Sequence, residues 1–355
     1  MKKSIPAPLC LPLAAALTAT AVLTAVGCKK PSGPASDIPG NTVTSSLSDT
    51  TASDTPETAY DPEHVVVIRS AEDLMAFHRA VNLDEYSFQG MTVIFLDNVD
   101  MNGYEWQPLR GEGLGGVTFD GQGHTVRGLR FPDYEYPTDS EPSNHEKGCG
   151  FIGVTTDDVT FRNLTLAHTS VHAYDHSVGN FIGAVQGGCA RFENCASVGF
   201  TAEGWMDWFD RDPTQGGHAV ASRMGGFVGY LGNDGQVDFS GCHVKDLTLD
   251  GFHNLAGFLG YDGTGTVTAR QFSNCSVRGA RLTFSYCLSE GYTADQPKKF
   301  VSVFFNATDW RDNLRACATF GNGFEDVVFY NWAEDCTAYT PTEFRSWAGE
   351  EETHG

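Results

Sequence analysis

The chain has 355 residues, with 45 acidic side chains against 23 basic ones and a formal net charge of −22. That balance excludes a phosphate-binding surface of clustered Lys and Arg, so nucleic acid is not expected as a partner. Hydrophobic residues at 41%, charged residues at 19%, and 40 glycines beside 24 phenylalanines exclude global disorder and point to a turn-rich β protein with a core.

Met1-Lys2-Lys3 supplies a positive start, and Leu9 to Val26 is uncharged and rich in Ala, Leu, Thr and Val. This is the composition of an export signal. It closes in Leu23-Thr24-Ala25-Val26-Gly27-Cys28, which resembles a bacterial lipobox, with Ala25 where Leu is usual. The resemblance implies cleavage after residue 27 and a diacylglyceryl group on the Cys28 thiol. An uncleaved membrane-spanning helix, for which the stretch is just long enough, and ordinary secretion are the alternatives.

Residues 28–63 are Ser, Thr, Pro, Gly and Asp with almost no large apolar side chain. Burial cannot offset their ordering entropy, so they read as a flexible tether. Loss of Lys2 and Lys3 with the leader takes the charge from −22 to −24.

Ser70 to Asn82 carries a hydroxyl N-cap, acids in its first turn and core-facing positions at 74, 77, 78 and 81. That spacing predicts an amphipathic helix, placed here as a lid over one open end of the folded part. One pattern then recurs: Phe151-Ile152-Gly153, Phe181-Ile182-Gly183, Phe227-Val228-Gly229, Phe258-Leu259-Gly260 and a degenerate Phe304-Phe305. The leading phenylalanines lie 30, 46, 31 and 46 residues apart, one unit twice enlarged. A second mark follows each anchor: Asn163-Leu164, Asn194-Cys195, Gly241-Cys242 and Asn274-Cys275. The surrounding runs, Val159 to Leu166, Arg191 to Val198, Val237 to Val244 and Phe272 to Val277, alternate as strands. Such a unit cannot close a core alone but can when stacked, which predicts an all-β parallel β-solenoid over residues 64–340, followed by an acidic tail at 341–355.

Leu96 to Leu109, then Phe119-Asp120-Gly121-Gln122-Gly123-His124-Thr125-Val126-Arg127-Gly128-Leu129, then the Phe-Ile-Gly units, are similar to the GLUG-motif β-helix proteins of bacterial surfaces. These include adhesin-like exoproteins and the N-terminal regions of some IgA-cleaving metallopeptidases. The resemblance covers about His64 to Val277 and implies a right-handed parallel β-helix in an exported protein, but no single activity. It blurs after Leu282.

Several motifs are weighed against chemistry. His145-Glu146-Lys147-Gly148-Cys149 lacks the second histidine of a zinc peptidase. Asn98-x-Asp100-x-Asn102-Gly103 opens like a calcium loop but has Leu109 at its twelfth position. His168, His172 and His176 do not converge on a strand and its following loop. No metal or other cofactor is therefore expected. Asp120, ahead of Gly121, is expected to bond its own turn. Cys195, Cys242 and Cys275 occupy equivalent places and are expected as a ladder of buried thiols about 4.8 Å apart, whereas Cys149, Cys189, Cys287, Cys317 and Cys336 are left open.

The two enlargements, near 201–218 and 286–299, leave the same corner two units apart. The first carries Glu203, Trp205, Asp207, Trp208, Asp210 and Asp212, and the second Tyr286, Glu290, Tyr292, Asp295, Lys298 and Lys299. Aromatic plates beside carboxylates suit sugar rings, although the tryptophans could equally pack the loop onto the flank. The sequence therefore predicts a monomeric, lipid-anchored envelope protein, facing the cell surface or the periplasm. It binds a glycan or an extracellular protein without turnover, and its only membrane contact is the lipid. A carbohydrate-active enzyme, hydrolase ahead of lyase, and a plain spacer are the rivals.

Overall fold

The computed structural model describes residues 64–83, 86–132, 148–173, 177–204, 223–251, 254–266, 269–284, 301–307 and 323–331. All of them lie in one of two units of the chain, Thr58–Gly355. They are mostly β, with one α-helix and five parallel sheets.

A single pass of the chain visits the sheets in turn. Val159–Arg162 lies in sheet 1, Thr165–Ala167 in sheet 2, Ser170–Ala173 in sheet 3, Ser177–Gly179 in sheet 4 and Ile182–Val185 in sheet 5. Cys189–Glu193 then returns to sheet 1, parallel to Val159–Arg162, with Phe192 in register with Phe161. The described strands of the later passes keep this order, so equivalent residues stack in columns. No described strand closes a sheet into a barrel; the end strands of each sheet remain distinct.

The columns explain the repeat. Phe181, Phe227, Phe258 and Phe304 stack face to face at centroid distances of 4.7, 5.0 and 5.3 Å, and Trp106 stacks on Phe151 at 5.0 Å. A second ladder of Phe119, Phe161, Phe192, Phe239, Phe272 and Phe305 runs beside it at 4.9–5.6 Å. The two interlock edge to face, as in Phe161–Phe181 at 5.2 Å and 78°. Stacked and T-shaped pairs each add about 0.5–1.5 kcal/mol beyond burial, so the ladders form the spine of the core. The anchor glycine is set by space. A Cβ on Gly183 would lie 2.3 Å from the Cys149 amide nitrogen, because sheets 4 and 5 are in backbone contact there.

The expected uninterrupted strands are corrected at the second mark. Val159 to Leu166 is two strands separated by Asn163-Leu164, and Asn163, Asn194, Gly241 and Asn274 all have φ between 51° and 63°. These left-handed residues turn the chain from sheet 1 into sheet 2, and the Leu or Cys that follows each is buried. A second left-handed corner, Gly128, His168, Gly199, Asp246, Gly279 and Asp326, leads from sheet 2 into sheet 3. Here side chain and glycine alternate: a Cβ on Gly199 would meet His168 Nδ1 at 2.7 Å, and one on Gly279 would meet Asp246 Oδ1 at 2.7 Å.

The helix runs from Ala71 to Asn82, with the Ser70 side chain accepting from the Asp73 amide. Its buried face is Ala71, Leu74, Phe77, His78 and Val81. Phe77 meets Phe119 at 6.1 Å and His78 meets Trp106 at 4.8 Å, so one helix covers the heads of both ladders. Beyond Leu282 the order of sheets continues through Val301–Ser302, Phe305–Ala307, Gly323–Glu325 and Val328–Asn331.

Candidate functional site

Both enlarged units open between sheets 3 and 4. Thr201–Gly204 and Arg281–Phe284 precede them and are separated in sheet 3 by one strand, Thr248–Gly251. Arg223–Gly225 and Val301–Ser302 follow them and are separated in sheet 4 by Leu255–Ala256. Parallel neighbours are about 4.8 Å apart, so the two stretches depart about 10 Å from each other on one edge. The first stretch is shorter than expected at its start, because Thr201–Gly204 belongs to the regular sheet.

A third long connection, 133–147, escaped the sequence reading because it precedes the first Phe-Ile-Gly anchor. It follows Arg130, which bridges to Ser170 of sheet 3, and precedes Gly148 of sheet 4. At this edge the long connections 133–147, 205–222 and 285–300 alternate with the short ones 174–176 and 252–253. Alternation doubles the room for each long stretch to about 10 Å, the width of a packed layer.

Glu203 is exposed on its strand, in register with His172 on one side and Asp250 on the other. Trp205, Asp207, Trp208, Asp210, Asp212, Tyr286 and Tyr292 lie outside the described residues, as do Glu290, Asp295, Lys298, Lys299 and Cys28.

Directly after the first long stretch stands a group that the sequence reading missed. Arg223 places its guanidinium 4.1 Å from the Tyr230 ring centroid and 5.7 Å from that of Tyr261. The two rings are parallel within 7° at 6.1 Å, in register on Val228–Leu231 and Leu259–Asp262 of sheet 5. All three side chains are half-buried. A Cβ on Gly232 would lie 2.5 Å from the Tyr230 ring and one on Gly263 2.8 Å from its hydroxyl, so two glycines keep the ring's seat open. The available signal was the residue after each anchor, which becomes Tyr in Phe227-Val228-Gly229-Tyr230 and Phe258-Leu259-Gly260-Tyr261.

The other singled-out residues have structural partners. Asp120 is buried; it accepts from the Gln122 amide at 3.1 Å, within its own turn, and from Arg162 Nε at 2.8 Å. Asp100, in the calcium-like stretch, accepts from Arg127 at 2.6 Å and from the Asn102 amide at 3.1 Å. The Arg127 hydrogen bond holds its carboxyl below the usual range. His168 is a corner residue, His172 lies on the Ser170–Ala173 strand, and His176 is outside the described residues. Among the described residues no group of three or more His, Cys, Asp and Glu is arranged to hold a metal ion.

Cys149, Cys189, Cys195, Cys242 and Cys275 are buried thiols; Cys287, Cys317 and Cys336 lie outside the described residues. Cys242 donates to Phe192 O at 3.3 Å. Its thiol is pushed up to about 12, chiefly by its hydrogen bond with Cys195, and that of Cys275 is raised chiefly by its bond with Cys242. A cavity of about 430 Å³ on sheet 2 is lined by His243, Lys245, Ser276, Arg278 and Glu325 among others. Its cations are already compensated, Arg278 by Glu325 and Lys245 by Asp246 at 3.8 Å.

No family model and no curated protein matches this chain. Among solved structures it is similar to a candidate immunoglobulin A1 protease from Bacteroides ovatus, at 13% identity and a TM-score of 0.37, over 77% of this chain and 79% of that one. Neither fold nor function is transferred from a likeness of that strength. No helix among the described residues is long and apolar enough to cross a membrane.

Proposed function

We propose that this chain is a right-handed parallel β-helix of the GLUG-motif kind, carried by a lipid on Cys28 at the bacterial cell envelope. It binds a glycan or an extracellular protein, without turnover, through the stretches 205–222 and 285–300. The stacking of successive passes in five parallel sheets supports the solenoid. The export-type leader and its lipobox-like end support the location.

The observation that carries the binding reading is the shared edge. The strands flanking the two stretches are neighbours but one in the same two sheets, so residues rich in Trp, Tyr, Asp and Glu begin and end side by side. Aromatic faces and carboxylates together satisfy the apolar face and the hydroxyls of a sugar. The test is glycan-array binding by the full-length protein in detergent, beside a Trp205→Ala, Trp208→Ala double variant, with product analysis of each ligand. Binding of an intact glycan, lost in the double variant, is expected. Cleaved product would replace this reading with a hydrolase, and a lack of binding to any glycan would overturn the glycan form of it.

A further inference from the structure

We propose that Arg223, Tyr230 and Tyr261 form a subsite for a carboxylated sugar residue, a uronate or a sialate. This rests on the glycan-binding reading and narrows its ligand class. Three observations carry it.

The first is a half-buried guanidinium that meets no carboxylate among the described residues. Arg127, Arg162, Arg191, Arg270 and Arg278 are each held by a carboxylate. Arg223 has no carboxylate partner among the described residues; its guanidinium rests on the Tyr230 ring instead. A guanidinium stacked on an aromatic face keeps its edge N–H groups free, and that planar fork matches a carboxylate in bidentate fashion.

The second is the pair of rings. The phenylalanine ladders are buried and mostly closer packed, whereas Tyr230 and Tyr261 are 6.1 Å apart and partly exposed. Their column reads Val154, Ala184, Tyr230, Tyr261, so aromatic character begins only in the pass that follows the stretch 205–222. The Tyr230 ring, seated against Gly232 and Gly263, is pre-positioned, which lowers the ordering cost of binding. The two parallel rings, and the guanidinium 4.1 and 5.7 Å from their centroids, present ring edges beside the cation, an amphipathic rim for the C–H groups and hydroxyls of a pyranose.

The third is local charge. A chain of net −22 repels anions overall, but screening confines that repulsion to roughly 8 Å at physiological salt. The column Gly148, Ser177, Arg223 and the tyrosine column contain no acidic residue. Among the described residues of these two columns, a carboxylate meets one cation and two aromatic rings.

The test uses the full-length protein in detergent and a panel of uronate- and sialate-bearing oligosaccharides, each beside its carboxyl methyl ester and beside neutral glycans. An acidic member should bind at least roughly ten-fold tighter than its ester, the range of one charged hydrogen bond. Arg223→Gln should bring it down to the ester's affinity with unchanged thermal unfolding, and Tyr261→Leu should weaken acid and ester alike. Equal binding of acid and ester, or of neutral glycans only, or indifference to Arg223→Gln, would overturn the subsite while leaving glycan binding standing. Binding of no glycan at all would overturn both.

Discussion

Arg270 and Asp262 form a buried ion pair at register positions that the preceding pass fills with Val237 and Leu231. Their side chains are 6% and 1% exposed, and the guanidinium lies 4.2 Å from the centroid of the Phe305 ring. Asp262 also accepts from the amide and hydroxyl of Thr264 at 2.9 and 2.6 Å. Two apolar columns thus become ionic within one pass. Removing one member strands the other charge, and Asp262→Ala should cost about 3–5 kcal/mol in urea unfolding. The double change Asp262→Leu, Arg270→Val restores the preceding pass and should be neutral or stabilising by up to about 4 kcal/mol. A loss below about 1 kcal/mol for Asp262→Ala would mean that the pair behaves as a solvated one.

The thiol ladder should be chemically silent under native conditions. Only thiolates react, and the Cys242 thiol is pushed up to about 12. Iodoacetamide at pH 8, read by mass spectrometry, should leave Cys195, Cys242 and Cys275 unmodified until denaturant is added. A raised native value favours the protonated form, so its stabilising effect is whole below the ordinary thiol value of 9.0 and is lost as pH rises towards about 12. Cys242→Ala should flatten that alkaline decline; an unchanged decline would assign it to other groups.

His78 makes the helix cap acid-sensitive. Its Nε2 lies 2.9 Å from Gln107 O, and burial lowers its pKa below the ordinary imidazole value of 6.5. The unfolded state therefore takes up a proton first, and stability present above 6.5 declines as pH falls through the lower native value. Amide protection factors in Ala71–Asn82, corrected for intrinsic exchange at each pH, should fall as pH drops below 6.5 while those of the phenylalanine ladders hold. His78→Phe should remove the acid dependence, and a pH-independent helix in the parent protein would contradict it.

Cys28 is tested directly. Metabolic labelling with an alkyne fatty acid should tag the exported protein, and Cys28→Ala should abolish the tag and release the protein from the membrane fraction. A labelled Cys28→Ala variant would rule out the anchor proposed.

Local and periodic features were readable in the chain. The helix Ala71–Asn82 follows from Ser70 and the spacing of Leu74, Phe77, His78 and Val81, four residues that lie within two helical turns of one another. The Phe-x-Gly anchors announced their own ladders, because a repeat that stacks in register must bring like residues together. The corners stayed hidden: Asn163 leaves the apolar alternation of Val159 to Leu166 intact while reversing the sign of φ. Register also escaped. Arg270 reads as one more surface charge until its alignment with Val237 turns it inward, towards an aspartate eight residues away on another sheet.

The sequence by itself determined the repeat, the capping helix, the ladders of Phe and Cys, and where extra chain was inserted, because each depends on composition or spacing along one strand of text. Only the tertiary structure decided that three long connections share one edge in alternation, that Arg223 lies over Tyr230, and that Asp262 pairs with Arg270. Those relationships depend on which residues successive passes bring within a few ångströms. That is fixed by the left-handed corners and by glycine-limited contact between sheets 4 and 5, both invisible to a pattern of polar and apolar letters.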